Sequence, residues 1–122
     1  MIPLFNTVSA YIGDTIPLDF VVKIDCVIVN ISSADLYFTL KRHFSDDDAD
    51  AVARKTSDDD GGIVITDGPA GECTVTLSPI DTVSFTDDTI LVWDLRMKNG
   101  EDISTLETGK LILNRVATRS FS

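Results

Sequence analysis

Residues 44–62 read FSDDDADAVARKTSDDDGG, two aspartate triplets around one arginine and one lysine. Asp46, Asp48 and Asp50 have the alternate spacing with which many calcium loops begin. Such a loop also needs a turn-forming residue at its sixth position and a bidentate acid at its twelfth. Counted from Asp46, those positions hold Ala51 and Ser57; counted from Asp48, they hold Ala53 and Asp59. Neither count completes the set. The stretch reads instead as a long solvated connection that leaves a strand and ends at Gly61 and Gly62, with Arg54 and Lys55 partly offsetting the acids. Its alanines tolerate one helical turn over residues 48–55, with an aspartate cap at the positive end.

The other reactive side chains form no recognisable set. His43 is the single histidine and follows Arg42 at a strand end. A general base needs a partner nucleophile and a pocket, yet no G-x-S-x-G is present and neither cysteine neighbours it. Gly109-Lys110 is followed by Leu111, so the phosphate-loop pattern fails. Asp81, Asp87, Asp88 and Asp94 offer carboxylates, as any acidic β-protein does. Cys26 and Cys73 lie far apart, without metal-ligand spacing, and read as small buried hydrophobes rather than a disulfide. We therefore assign no catalytic residue, no cofactor-binding residue and no metal ligand, and expect a protein that is not an enzyme.

The totals narrow the partners. The chain has 122 residues, 20 acids against 10 bases, and a net charge of −10. Such a surface repels phosphate backbones and anionic membranes, which argues against nucleic-acid and membrane partners. An apolar share of 43% is too high for a disordered chain and suits one core, hence one domain. The start MIPLFNTVSAY lacks a basic n-region and a sustained apolar h-region, so no signal peptide is expected. No stretch approaches the roughly 18 apolar residues of a membrane span.

The dominant period is two, which is that of strands with one buried face. In TILVWDLRMK, residues 89–98, Leu91, Trp93, Leu95 and Met97 form the apolar set. In DLYFTLKR, residues 35–42, Leu36, Phe38 and Leu40 face inward. In ECTVTLS, residues 72–78, Cys73, Val75 and Leu77 do so, and in TIPLDFVVK, residues 15–23, Ile16, Leu18, Phe20 and Val22. Pro17 cannot donate a ladder bond and marks an edge or an irregular start. GIVIT (residues 62–66) and GKLILN (residues 109–114) add strands, and residues 7–12 suit a further edge strand. Asn99-Gly100 predicts a type I′ hairpin turn into a strand that starts near Ile103. Trp93 reads as a core residue between two sheets. Short strands separated by turn signals predict an all-β, antiparallel sandwich of about seven strands.

The run from Asp35 to Phe85 is similar to small immunoglobulin-like domains of tailed bacteriophages and prophages. The matching places are residues 37–42 (YFTLKR), 45–51 (SDDDADA), 61–66 (GGIVIT), 71–79 (GECTVTLSP), 94–98 (DLRMK) and 109–119 (GKLILNRVATR). Together they cover roughly residues 15–119, and they most resemble the N-terminal domain of phage baseplate upper proteins. The resemblance implies an immunoglobulin-like β-sandwich and a non-enzymatic structural role. In that role the protein would dock within the tail or baseplate of a virion assembled in the bacterial cytoplasm. Its partners would be other phage structural proteins and copies of itself, without a small-molecule substrate. A capsid decoration protein and an intracellular protein-binding module are the alternatives. Short arms at residues 1–6 and 116–122 are expected to order on docking.

Overall fold

The computed structural model describes residues 6–118. Its strands are β1 (Asn6–Tyr11), β2 (Ile16–Val21), β3 (Lys23–Ile24), β4 (Val27–Ile28), β5 (Asp35–Lys41), β6 (Ala53–Thr56), β7 (Ile63–Asp67), β8 (Glu72–Leu77), β9 (Thr89–Asn99) and β10 (Asp102–Asn114), with one helical turn, α1 (Pro79–Thr82). A five-stranded sheet runs in the order β1-β10-β9-β5-β6, a three-stranded sheet in the order β2-β8-β7, and β3-β4 form a separate ribbon. Both larger sheets are open, with β1 and β6 the edges of one and β2 and β7 the edges of the other.

The period-two residues build one core from both sheets. Leu36, Phe38, Leu40, Leu91, Trp93, Leu95 and Met97 point inward from the larger sheet, and Ile16, Leu18, Phe20, Cys73, Val75 and Leu77 from the smaller. Trp93 joins the layers. Its ring meets Phe20 of β2 edge-on at 5.5 Å and stacks on Phe38 of β5 at 5.6 Å between centroids. Each such ring contributes about 1.5–3 kcal/mol through burial. The indole Nε1–H of Trp93 is buried and has no acceptor among the described residues.

Six expectations are corrected. Among the described residues the strands number ten, and the pairing is not wholly antiparallel. β1 runs parallel to β10, from Asn6 opposite Gly109 to Tyr11 opposite Asn114. That pairing places Asn6 inside a strand, so the expected arm over residues 1–6 is shortened at its inner end; its remainder, like residues 119–122, lies outside the described residues.

The connection after β5 is also more ordered than expected. Asp48–Asp50 make one tight 3-10 turn, with Asp47 at the N-cap position but without a side-chain cap bond, and residues 53–56 are then the edge strand β6, not helix. Only Ala53 of that strand is buried, so its sequence carries almost no alternation.

One turn differs as well. Asn99 pairs with Asp102, so Gly100 and Glu101 occupy the turn centre, and only Gly100 has positive φ, at 66°. That is the type II′ arrangement, not type I′. Finally, Cys26 is exposed. With Asp25 it forms the two-residue tip between β3 and β4, at φ of 52° and 66°, where both central residues of a type I′ turn must be left-handed. Cys73 is buried as expected, and both thiols are free.

The crossover after β8 is held by a capping box that is visible in the sequence as Ser78-Pro79-Ile80-Asp81. Ser78 caps the turn and Asp81 returns a bond to the Ser78 backbone N–H, with proline at a first-turn position. The buried Thr82 then accepts a hydrogen bond from the Gly13 backbone N–H at 2.9 Å, which ties α1 to the β1–β2 turn.

Candidate functional site

Because Leu36, Phe38 and Leu40 face the core, Tyr37, Thr39 and Lys41 face outward from the same strand. Register sets their neighbours. On β9, Arg96 lies opposite Tyr37, Asp94 opposite Thr39 and Lys98 opposite Asp35. β6 adds Arg54 opposite Thr39, and β10 adds Ile103 opposite Lys98 and Thr105 opposite Arg96. The result is a groove of about 370 Å³ on the outer face of the larger sheet, with Tyr37, Lys41, Arg54, Asp94, Arg96 and Lys98 in its lining. Four of the chain's 10 bases gather here on a protein of net charge −10.

The acidic connection closes one end of this groove. Lys41 Nζ meets Asp48 Oδ1 at 2.9 Å and donates to the Asp46 carbonyl at 2.7 Å, while Arg54 Nη2 stands 3.7 Å from Asp48 Oδ2. The hydrogen bond and charge of Lys41 hold the Asp48 carboxyl below its ordinary pKa. Asp94 behaves oppositely. Burial beneath the surrounding side chains pushes its carboxyl up, against the attraction of Arg96 and Lys41. Arg96 Nε donates to Thr105 Oγ1 at 3.2 Å.

The other residues considered from the sequence are dispersed. Asp46 Oδ2 accepts the His43 backbone N–H at 3.2 Å, so that carboxylate closes its own turn. Among the described residues, no three of His, Cys, Asp and Glu come together to hold a metal, and Asp46, Asp48 and Asp50 do not converge. His43 sits exposed just beyond β5. Asp81 pairs with Lys55 at 2.8 Å, and Asp87 and Asp88 flank Arg115 at 3.6 and 3.7 Å. A second hollow, about 630 Å³, lies at one pole between Tyr11, Ile12, Pro79, Val83 and Val116. Sequence reasoning did not find the groove, although the outward positions 37, 39, 41, 94, 96 and 98 were legible; only the cross-strand register brings them together.

No family model matches the chain, and no curated protein sequence matches it. Solved structures do. The N-terminal domain of phage TP901-1 ORF48 superposes with a TM-score of 0.54 over 89% of this chain and 85% of that one, at 12% identity. The natural cytotoxicity receptor NKp44 of NK cells superposes with a TM-score of 0.53 over 93% of this chain and 99% of that one, at 14% identity. At these identities the likeness is one of fold, an immunoglobulin-like arrangement of strands shared by a phage domain and an NK cell receptor.

Proposed function

We propose that this protein is a non-enzymatic structural component of a tailed-phage virion, docking in the tail or baseplate region as a single immunoglobulin-like β-sandwich domain. The observation that carries the reading is the likeness to the N-terminal phage domain over 89% of the chain. The fold is shared with an NK cell receptor as well, and the motif run over residues 37–119 supports the choice of phage. The geometry suits docking rather than chemistry. Open sheet edges and a charged groove offer backbone and side-chain contacts to another protein, and the aspartate-rich connection serves as a solvated loop rather than a metal site. Partners are other phage structural proteins.

The test is mass spectrometry of purified virions with tails and capsids separated before digestion. Recovery with the tails, near the copy number of other baseplate parts, is the expected result. Recovery with capsids, in ratio to the major shell protein, would make it a decoration protein instead. Absence from both fractions would end the virion reading and favour an intracellular binding module.

A further inference from the structure

The groove on the larger sheet holds one carboxylate of its own chain. Asp48 of the protein's own connection is seated against Lys41 and Arg54 at one end. At the other end Arg96 and Lys98 have no carboxylate within 4.0 Å among the described residues. Between and beside them, Tyr37 and Ile103 are 37% and 59% exposed. Aromatic and arginine side chains around an apolar centre are the composition of protein contact sites. This half of the groove therefore carries two cations beside partly exposed apolar surface, with Asp94 in the same lining attracting Arg96 and Asp35 opposite Lys98.

The same chain carries a matching anion. Asp58, Asp59 and Asp60 form the exposed turn between β6 and β7, closed by the Gly61 N–H on the Asp58 carbonyl at 2.9 Å. None of the three has an ion-pair partner among the described residues. The turn makes no ion pair with its own groove among the described residues, and Ser57 ties it to the β5 edge: its N–H bonds the Leu36 carbonyl at 3.1 Å and its hydroxyl accepts the Leu36 N–H at 2.9 Å.

We infer that the Arg96–Lys98 end of the groove binds the Asp58-Asp59-Asp60 turn of a second copy of this chain. The proposal deepens the docking role proposed above by naming one partner, and it rests on that reading only for its biological setting. Two copies of net charge −10 repel at long range, so the attraction acts within about one Debye length, ~8 Å at physiological salt. The contact is confined to one end of a groove and one three-residue turn, whereas a stable complex buries roughly 800 Å² per partner. Association in free solution is therefore weak and concentration-dependent, and it strengthens when copies are held side by side in an assembly.

A charge swap tests this. One variant carries Arg96→Glu with Lys98→Glu, so that groove and turn are both acidic. The other carries Asp58→Lys with Asp59→Lys, so that both are basic. Thermal melts confirm that each is folded. Sedimentation equilibrium at physiological salt should show the wild type associating as concentration rises, and each variant alone weakened at least about tenfold. An equimolar mixture should regain association, since each groove then meets a turn of opposite charge in either a two-fold or a head-to-tail arrangement. A wild type that stays monomeric at the highest soluble concentration would overturn the proposal, as would variants that associate like the wild type or a mixture that does not recover. Virion fractionation can succeed or fail independently of this result.

Discussion

The Lys55–Asp81 contact gives a prediction that can be worked through. Lys55 Nζ and Asp81 Oδ2 are 2.8 Å apart, with side chains only 16% and 14% exposed. The same Oδ2 accepts the Ser78 N–H at 2.8 Å and the Ser78 hydroxyl at 3.1 Å. Replacing Asp81 with alanine removes all three contacts and strands a mostly covered ammonium. Breaking a buried pair costs about 3–5 kcal/mol, and losing a cap about 1. The lysine stem lets its charge swing toward water, which recovers part of that. We expect a net loss of about 3 kcal/mol for Asp81→Ala. With a urea slope near 1.5 kcal/mol per molar, the midpoint falls by about 2 M. Ser78→Ala, which keeps the ion pair, should cost about 1 kcal/mol. Paired with Lys55→Met in a double-mutant cycle, Asp81→Ala should show a coupling of about 2 kcal/mol. Acid should erase the difference. Burial pushes the Asp81 carboxyl up, but the bonds from Lys55 and Ser78 outweigh it, so its folded pKa lies below the unfolded 3.8. The contribution is complete above that unfolded value and disappears as pH falls through the folded one. An Asp81→Ala midpoint within about 0.3 M of wild type at pH 7, or a cycle with no coupling, would refute the reasoning.

Three further outcomes are expected. Gly71 has a φ of 71°, and a Cβ there would lie 2.8 Å from the Val29 carbonyl and 2.9 Å from the Val22 carbonyl, so Gly71→Ala should cost well over about 1 kcal/mol in urea melts. Cys26 should react with a chromogenic disulfide in the native protein, whereas Cys73, whose thiol is pushed up to about 11 by burial and then by Glu107 and Asp19, should react only on unfolding; Cys26→Gly should stabilise by about 1 kcal/mol, because it relieves a left-handed residue with a side chain. Asp94 has a folded pKa above 3.8 because of burial, so its protonation favours the fold in acid and that advantage is lost as pH rises through the folded value; Asp94→Asn should stabilise at pH 7 by under about 1 kcal/mol and match wild type near pH 3, measured by thermal denaturation.

The inward residues of β2, β5, β8 and β9 were legible because a strict period of two over six or more positions fits a half-buried strand and neither a helix nor a loop. Every one of Leu36, Phe38, Leu40, Leu91, Trp93, Leu95 and Met97 is buried. β6 escaped because an edge strand with one buried residue, Ala53, has no alternation to read. The β3–β4 ribbon escaped because its residues are exposed on both faces and its turn uses Asp25-Cys26 in place of glycine. α1 had a readable signal in Ser78 and Asp81, but a single turn leaves no periodicity. Cys26 was misplaced for a related reason, since residue type says little about burial at a turn tip. The groove depends on pairing Arg54, Tyr37 and Arg96 across three strands, and single-strand patterns do not encode which strands are neighbours.

The parallel β1–β10 pair has a mechanical consequence. β1 opens near the amino end and β10 closes near the carboxyl end, and six residue pairs join them in the same direction. Asn114 adds side-chain bonds to the Ser9 hydroxyl at 3.0 Å and the Ala10 carbonyl at 3.1 Å. Pulling residue 6 away from residue 114 therefore slides the two strands along each other and strains every bond of the pair together. An antiparallel hairpin pulled from its open end would instead unzip one bond at a time. Resistance to tension is a rate property, set by the barrier to that sliding and not by equilibrium stability. A domain closed in this way yields late under load applied through its ends, even where its total folding free energy is modest.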